Sequence, residues 1–291
     1  MDWQSRLISI YLTIDSVWNK GSSMCVQRFS NNSYLFLTDQ EVVTIYFFGV
    51  LQGRSTVKEI FDYANQHLRE WFPHLKNYEA FNYRLNKIHS GFITLCELFS
   101  GNLKKDGTEN WVIDSLPIIM AGPKRSGRAR VGRDQADKGY CASKDLFFHG
   151  VKLHCIGELR AGTIPTPVFI GLAPASASDE KLFEMVSSEL ENGKVFADKA
   201  YIDSDHERKL NKQNVELLTP LKRGKDKYSF SGGETYSTWV SSVRQPIESF
   251  FNWLDSKTKI QKACKVRSSA GLIVHVFGKV AAALLALKLN F

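Results

Sequence analysis

The sequence predicts a mixed α/β fold, with a mixed sheet placed after a helical N-terminal region. Three observations predict it. Helix-start signals dominate the first third of the chain. Strand-like runs begin at Trp111 and include a hairpin. Finally, a strand, a helix and a second strand follow one another within about 25 residues from Lys194, a βαβ unit whose strands run parallel.

In the N-terminal third, Thr38-Asp39-Gln40-Glu41 is a capping box opening the run VVTIYFFGVL. Gly53-Arg54-Ser55 interrupts that run. Thr56 and Glu59 form a second box before IFDYANQHLREWF, which Pro73 follows. Two helices joined by a short Gly-containing turn resemble a helix-turn-helix, although helical hairpins without DNA affinity share the pattern. A third helix is expected over 78–99. The turn-rich stretch GNLKKDG, from Gly101 to Gly107, marks a boundary. The expected division is a helical, helix-turn-helix-like region over 1–107 and a second domain over 108–291.

Beyond the boundary, WVIDSLPII is a short apolar run of β-formers. The basic stretch GPKRSGRARVGRDQADKG follows it. LFFHGVKLHCIGEL and TPVFIGLA read as two strands joined by a turn. Ser178-Asp179-Glu180 starts a helix with Leu182, Phe183, Val186 and Leu190 on one face, ended by Asn192-Gly193. KVFAD (194–198) is a strand, Ser204 and Glu207 box a short helix, and VELLTP is the next strand. Pro246 is expected in the first turn of a helix over RQPIESFFNWLD, whose apolar side is Ile247, Phe250, Phe251 and Leu254. The last segment, LIVHVFGKVAAALLALKL, is apolar enough to consider as a membrane span. His275, Lys279 and Lys288 argue against one. The stripe Leu272, Ile273, Val276, Phe277, Val280, Leu284 and Leu287 reads instead as a buried helix of a soluble protein.

The 291 residues are 43% hydrophobic and 23% charged, which excludes a chain disordered throughout. The net charge is +8, and it is unevenly placed. Residues 1–110 hold 11 Lys+Arg and 11 Asp+Glu, whereas residues 111–291 hold 27 and 19. A basic C-terminal part suits a polyanion, most often nucleic acid, or else a solvated basic surface. Five cysteines, widely spaced and without a C-x-x-C pair, indicate neither a disulfide framework nor a zinc module. Free thiols fit a reducing cytoplasm. The N-terminus lacks the apolar run of a secretory signal.

Three acids stand out. Asp114 lies among apolar neighbours in WVIDSLPI. Asp198 closes KVFAD, and open α/β sheets bind ligands beyond the carboxyl ends of their strands. Glu248 sits near the edge of the apolar side of its helix. Together they could converge on divalent cations, since Mg²⁺ takes few carboxylates plus substrate oxygens. Singly, Asp114 also fits a strand-end cap, Asp198 a turn and Glu248 a partner for Arg244. His149 and His154, five residues apart on a strand, point to opposite faces and fit packing better than ligation. His206, with Asp203 and Asp205, fits a helix start.

Ordered blocks carry a resemblance. Asp114, then FADKAY around Asp198, then Arg244 with Glu248-Ser-Phe-Phe-Asn-Trp-Leu resemble the core of bacterial insertion-sequence transposases of the DDE class. GYCASKD from Gly139, GVKLH from Gly150, ADKAYI from Ala197, KVRS from Lys265 and HVFGK from His275 resemble one subgroup, the insertion sequence 982 family, related to the insertion sequence 4 group. LTDQEV from Leu37 and NYRLN from Asn82 are similar too. One position departs from related transposases: Ser241 stands where a Tyr often precedes the Arg of the glutamate block. The resemblance implies a ribonuclease-H-like fold and a DNA transposase acting in the bacterial cytoplasm. It implies Asp114, Asp198 and Glu248 as ligands of two Mg²⁺ or Mn²⁺ ions, with Arg244 as a further catalytic residue. Its partners would be double-stranded DNA at element ends and targets, with a homodimer assembled on DNA and no membrane. Cleavage would use water and joining the freed 3′-hydroxyl, with no covalent protein intermediate. A metal-dependent nuclease of the same fold and a catalytically silent DNA-binding derivative are the alternatives.

Arg125, Arg128, Arg130 and Arg133 form the densest arginine group, in a Gly-rich loop shortly after Asp114. Such a loop suits contact with phosphates, which fix register without carrying sequence information. Lys222, Arg223, Lys225 and Lys227 suit further backbone contacts, as do Lys257, Lys259, Lys262, Lys265 and Arg267. Replacing two of the loop arginines with Ala is expected to weaken specific and non-specific DNA about equally. The slope of log K against log salt should fall by roughly 0.9 for each phosphate no longer neutralised. Fluorescence anisotropy across a salt series measures both.

Overall fold

A computed structural model describes residues 2–19, 36–101, 110–221 and 231–291. The chain divides into two compact units. One comprises residues 1–103, 130–134 and 254–291, and the other residues 104–129 and 135–253. Residues 254–291 return to the helical unit because their last helix is apolar on all sides and is enclosed there.

In the helical unit, α1 (Trp3–Trp18) starts at Asp2, whose carboxylate accepts the Ser5 N–H. Both expected capping boxes form: Thr38–Glu41 opens α2 (Asp39–Leu51), and Thr56–Glu59 opens α3 (Val57–His67). The single helix expected over 78–99 is two, α4 (Tyr78–Lys87) and α5 (His89–Gly101). The break falls at Ile88, where the His89 ring turns back to the Asn86 carbonyl. The C-terminal helix, α10 (Ser269–Leu289), is long and apolar enough to cross a membrane, yet it is buried from Val274 through Ala286. This is an enclosed core helix rather than the one-sided stripe its spacing suggested. Tyr46 donates to the Val274 carbonyl, and Cys96 to that of Phe277. Lys279 is buried as well, and its ammonium donates to the carbonyls of Ser55 and Lys259.

The sheet unit begins with β1 (Asn110–Ala121), followed by one short turn of helix, α6 (Pro123–Ser126). The predicted hairpin forms as β3 (Leu146–Glu158) and β4 (Thr166–Pro174). A further short strand, β2 (Asp137–Cys141), precedes it and pairs with the start of β3. Next come α7 (Asp179–Val186), β5 (Gly193–Phe196), α8 (Ser204–Lys212) and β6 (Val215–Leu218). Asp203, rather than Ser204, caps α8, its carboxylate accepting from the N–H groups of Asp205 and His206. The last element here, α9 (Ser231–Thr258), of which residues 231–253 belong to this unit, departs from expectation. Pro246 sits inside it, not in its first turn. Upstream of the proline, buried Val240 and Arg244 anchor the helix.

The strands form one six-stranded mixed sheet in the order β2-β3-β1-β5-β6, with β4 on the same edge of β3 as β2. β1 runs antiparallel to β3 and parallel to β5, and β5 and β6 are parallel as the βαβ pattern required. Ile113, Ile156, Phe183, Val195, Tyr201 and Leu210 form the core on the α7 and α8 side. β1 is bonded to β5 only through Asn110, Trp111 and Val112. Among the described residues it then has a strand on one side only, which accommodates Pro117 without a ladder bond to lose there.

Close approach of β1 and β3 depends on Gly150. A Cβ built there would lie 2.0 Å from the Ile118 carbonyl oxygen. Gly150→Ala is therefore expected to destabilise the protein by at least about 2 kcal/mol. Gly122→Ala, with no atom within 4 Å of its Cβ and ordinary backbone angles, should change little. Urea midpoints of the two variants test the contrast.

Candidate functional site

Register brings two of the expected acids together. Val112 of β1 pairs with Phe196, the last residue of β5. Asp114 and Asp198 each lie two residues further along, where the ladder between these strands has ended. Asp114 points to the face opposite Ile113, away from the α7–α8 core. Asp198 caps a short 3-10 turn over Lys199–Tyr201, and its carboxylate accepts the Lys199 N–H at 2.7 Å.

A third side chain joins them. Arg244 of α9 is buried, and one guanidinium nitrogen is 3.3 Å from Oδ2 of Asp114. Another is 3.9 Å from Oδ1 of Asp198. Arg244 Nε is buried without a hydrogen-bond partner. The arginine thus faces the two strand aspartates rather than Glu248. Glu248 is exposed on α9, one turn beyond Arg244. It acts on Asp114 through its charge. The four residues expected to carry catalysis therefore cluster unevenly: Asp114, Asp198 and Arg244 meet, with Glu248 at the margin. Among the described residues, no three His, Cys, Asp or Glu side chains form a ready-made cation cage.

Burial pushes the Asp114 carboxyl up to about 6. Arg244 and the Ser115 N–H, which donates to Oδ1 at 2.8 Å, oppose that rise, while Asp198 and Glu248 add to it. Hard carboxylate oxygens, with Asp198 open to solvent, fit a hard divalent cation that takes few protein carboxylates and fills its other positions with phosphate or water oxygens. The guanidinium lodged between the aspartates shows that their field already holds a cation.

A second polar cluster, absent from the sequence reading, lies on the opposite face of β1. Oδ1 of Asp179 accepts from Lys152 Nζ at 3.0 Å and from Ser115 Oγ at 3.4 Å. His154 Nε2 is 3.8 Å from the same oxygen. Both ring nitrogens of His154 are buried without a hydrogen bond, and burial pushes the imidazole down to about 4. The Tyr201 hydroxyl is likewise buried and unpartnered, its pKa raised by burial. The available signal was Lys152 standing among apolar residues of a strand. Asp179, read only as a helix starter, is its partner. The His206 N–H donates to the Asp203 carboxylate at the start of α8, in keeping with a helix-start role, and the His206 ring bonds Ser187.

The four loop arginines are exposed and carry no ion pair among the described residues. They are divided between the compact units, Arg125 and Arg128 in one and Arg130 and Arg133 in the other. Lys259, Lys262, Lys265 and Arg267 are exposed in the helical unit. Lys222, Arg223, Lys225 and Lys227 lie outside the described residues. In the helix-turn-helix-like pair, α2 is buried on nearly every side, leaving α3 to meet solvent. The exposed side of α3 mixes Lys58 with Glu59 and Asp62, and Lys58 pairs with Asp62.

Residues 104–268, more than half of the chain, match the sequence model of a family described as transposase DDE domain. No curated protein matches the chain.

The Asp114 shift has a stability consequence with a definite sign. A carboxyl raised from 3.8 to about 6 binds its proton more tightly in the folded than in the unfolded chain. Its contribution is therefore full at low pH and is lost as pH rises through that window. In EDTA at pH 8, Asp114→Asn should stabilise the protein by about 3 kcal/mol, and the gain should nearly vanish near pH 4. Urea unfolding of both proteins across pH measures it; a variant less stable at pH 8 would show that the Arg244 contact outweighs burial.

Proposed function

The chain belongs to the transposase DDE-domain family, and we propose that it cleaves DNA at insertion-sequence ends and joins the freed 3′-hydroxyl to target DNA. One observation carries the reading. Asp114 of β1 and Asp198 of the turn after neighbouring β5, at the point where the strand order reverses, face the same buried guanidinium. Open α/β sheets place their ligands at such switch points.

The strand order also supports a ribonuclease-H-like core. A long first strand bearing one acid pairs with a strand of the hairpin on one side and with the strand that leads into the second acid on the other. The motif blocks of the sequence support membership of the insertion sequence 982 group. In this reading Asp114 and Asp198 hold two Mg²⁺ or Mn²⁺ ions, and Glu248 completes the set. Those ions, when bound, supply Lewis-acid stabilisation for the attacking and leaving oxygens of a phosphodiester. The chain's own task is positional. Asp114 is fixed by the β1 ladder, Asp198 by the turn that follows β5, and Glu248 by the rigid α9. Exposed Arg125, Arg128, Arg130 and Arg133 hold the DNA backbone, joined by the lysines around Lys262. The helical pair over 38–72 supplies end recognition, on the strength of its helix-turn-helix-like spacing, and two copies of the chain assemble on DNA in the bacterial cytoplasm.

A strand-transfer assay with labelled DNA from the flanks of the gene, in Mg²⁺, tests the whole reading. Cut and joined products support it. Cutting without joining makes the protein a nuclease, and binding without cutting makes it a silent derivative. Asp114→Asn, Asp198→Asn and Glu248→Gln should each reduce cleavage by roughly a thousandfold or more, because ligands that act as a unit fail together. Each should leave DNA binding in place. Near-normal cleavage by any one of them would remove that residue from the site.

A further inference from the structure

Arg244 is placed where the fields of two carboxylates overlap, and its contacts there are loose. The distances of 3.3 and 3.9 Å exceed the 2.7–2.9 Å range of a directed guanidinium–carboxylate pair. Its Nε is buried and unbonded. Charge, more than hydrogen bonding, keeps the side chain there. Arginine does not lose its proton in proteins, so a unit positive charge always occupies this place. A divalent ion on the same carboxylates must therefore contend with it.

The surroundings allow the side chain to leave while the helix stays. Val240 and Ile247, one turn before and one turn after, are fully buried and pin the backbone of α9. Ser241, Gln245 and Glu248 beside it are exposed, as is Asp198, so the guanidinium lies next to open surface. DNA phosphate is the anion that Arg recognises best, through its planar fork.

We propose that Arg244 is the resident counter-cation of Asp114 and Asp198, that it competes with divalent metal for them, and that DNA phosphate ends the competition by taking up the guanidinium. The site then loads metal weakly until DNA is bound. This rests on the reading of Asp114 and Asp198 as metal ligands. Because coupling between two binding events is reciprocal, metal should strengthen DNA binding by the same factor that DNA strengthens metal binding.

Isothermal titration of Mn²⁺ into the full-length protein, without DNA, tests this. Arg244→Gln keeps a polar side chain of similar reach and removes the charge; it should bind Mn²⁺ about tenfold more tightly than the unchanged protein. Arg244→Lys keeps the charge and should stay near the unchanged affinity. Saturating duplex DNA should tighten Mn²⁺ binding to the unchanged protein and have little effect on Arg244→Gln. Equal Mn²⁺ affinities for Arg244→Gln and the unchanged protein overturn the proposal and leave the metal site standing. Mn²⁺ binding that survives Asp114→Asn with Asp198→Asn places the metal elsewhere and overturns both. If thermal melting shows Arg244→Gln unfolded, the DNA effect on the unchanged protein decides, and an affinity unaltered by duplex overturns the proposal.

Discussion

A carboxylate in the middle of the central strand constrains everything around it. Asp114 sits between Ile113 and Ser115, in a strand whose neighbours on both sides are packed with apolar side chains. Taking that charge from water costs free energy unless a partner meets it. The Ser115 N–H and Arg244 supply partners, and burial still dominates the outcome. Since Arg244 comes from α9, the helix must cross the sheet where its guanidinium can reach β1. Val240 and Ile247, buried on either side of the arginine, give that crossing its apolar footing. The position of α9, and with it Glu248, thus follows from where β1 carries its acid.

Charge lies on both faces of β1, from its own Asp114 on one side and from Asp179 of α7 and Lys152 of β3 on the other, and the two faces resolve it differently. On the α7 side, Asp179 takes a close lysine and a hydroxyl from Ser115 and sits in the first turn of a helix, where negative charge is favoured. That acid is satisfied. On the α9 side, Asp114 has one distant cation and a neighbour of like charge in Asp198. A site that is to take up a further cation needs negative charge left over, and only the α9 side has it. The closed cluster steadies the strand; the open one keeps negative charge that its partners do not neutralise.

Local signals were legible in the sequence, and long-range ones were not. Both capping boxes depend on residues three apart, so Thr38–Glu41 and Thr56–Glu59 could be read directly. The hairpin and the βαβ unit followed from short-range pattern, and the strand-end rule drew attention to Asp198, which lies just beyond β5. The break at Ile88 was missed because the apolar spacing continues through it. The true extent of α9 was hidden because a proline reads as a helix start, while Val240 and Arg244, which hold the upstream half, declare themselves only through burial. Spacing of four residues suggested Arg244 with Glu248 as a pair. Two strand acids, far away in sequence and nearer in space, took the arginine instead. The enclosure of α10 was equally non-local: Lys279 argued against a membrane on charge, yet it lies buried with its ammonium on backbone carbonyls of Ser55 and Lys259, and its pKa is pushed down to about 7 by burial.

Pro246 then acquires a positional meaning. It has no N–H for the carbonyl one turn earlier, that of Ser242, so the helix loses a rung there. Ser242 and Ser241 donate their hydroxyls to carbonyls of the preceding turn, which keeps the upstream half engaged with itself. The helix nevertheless continues, and its continuity fixes an angle. Arg244 and Glu248, four residues apart, project from nearly the same side, with Ile247 between them facing the sheet. Had the helix begun at Pro246, Arg244 would hang from a loop with no set direction. Running the helix through the proline places a cation and an acid one turn apart, with the cation facing the middle of β1 and the turn after β5, and the missing rung lies beside Arg244.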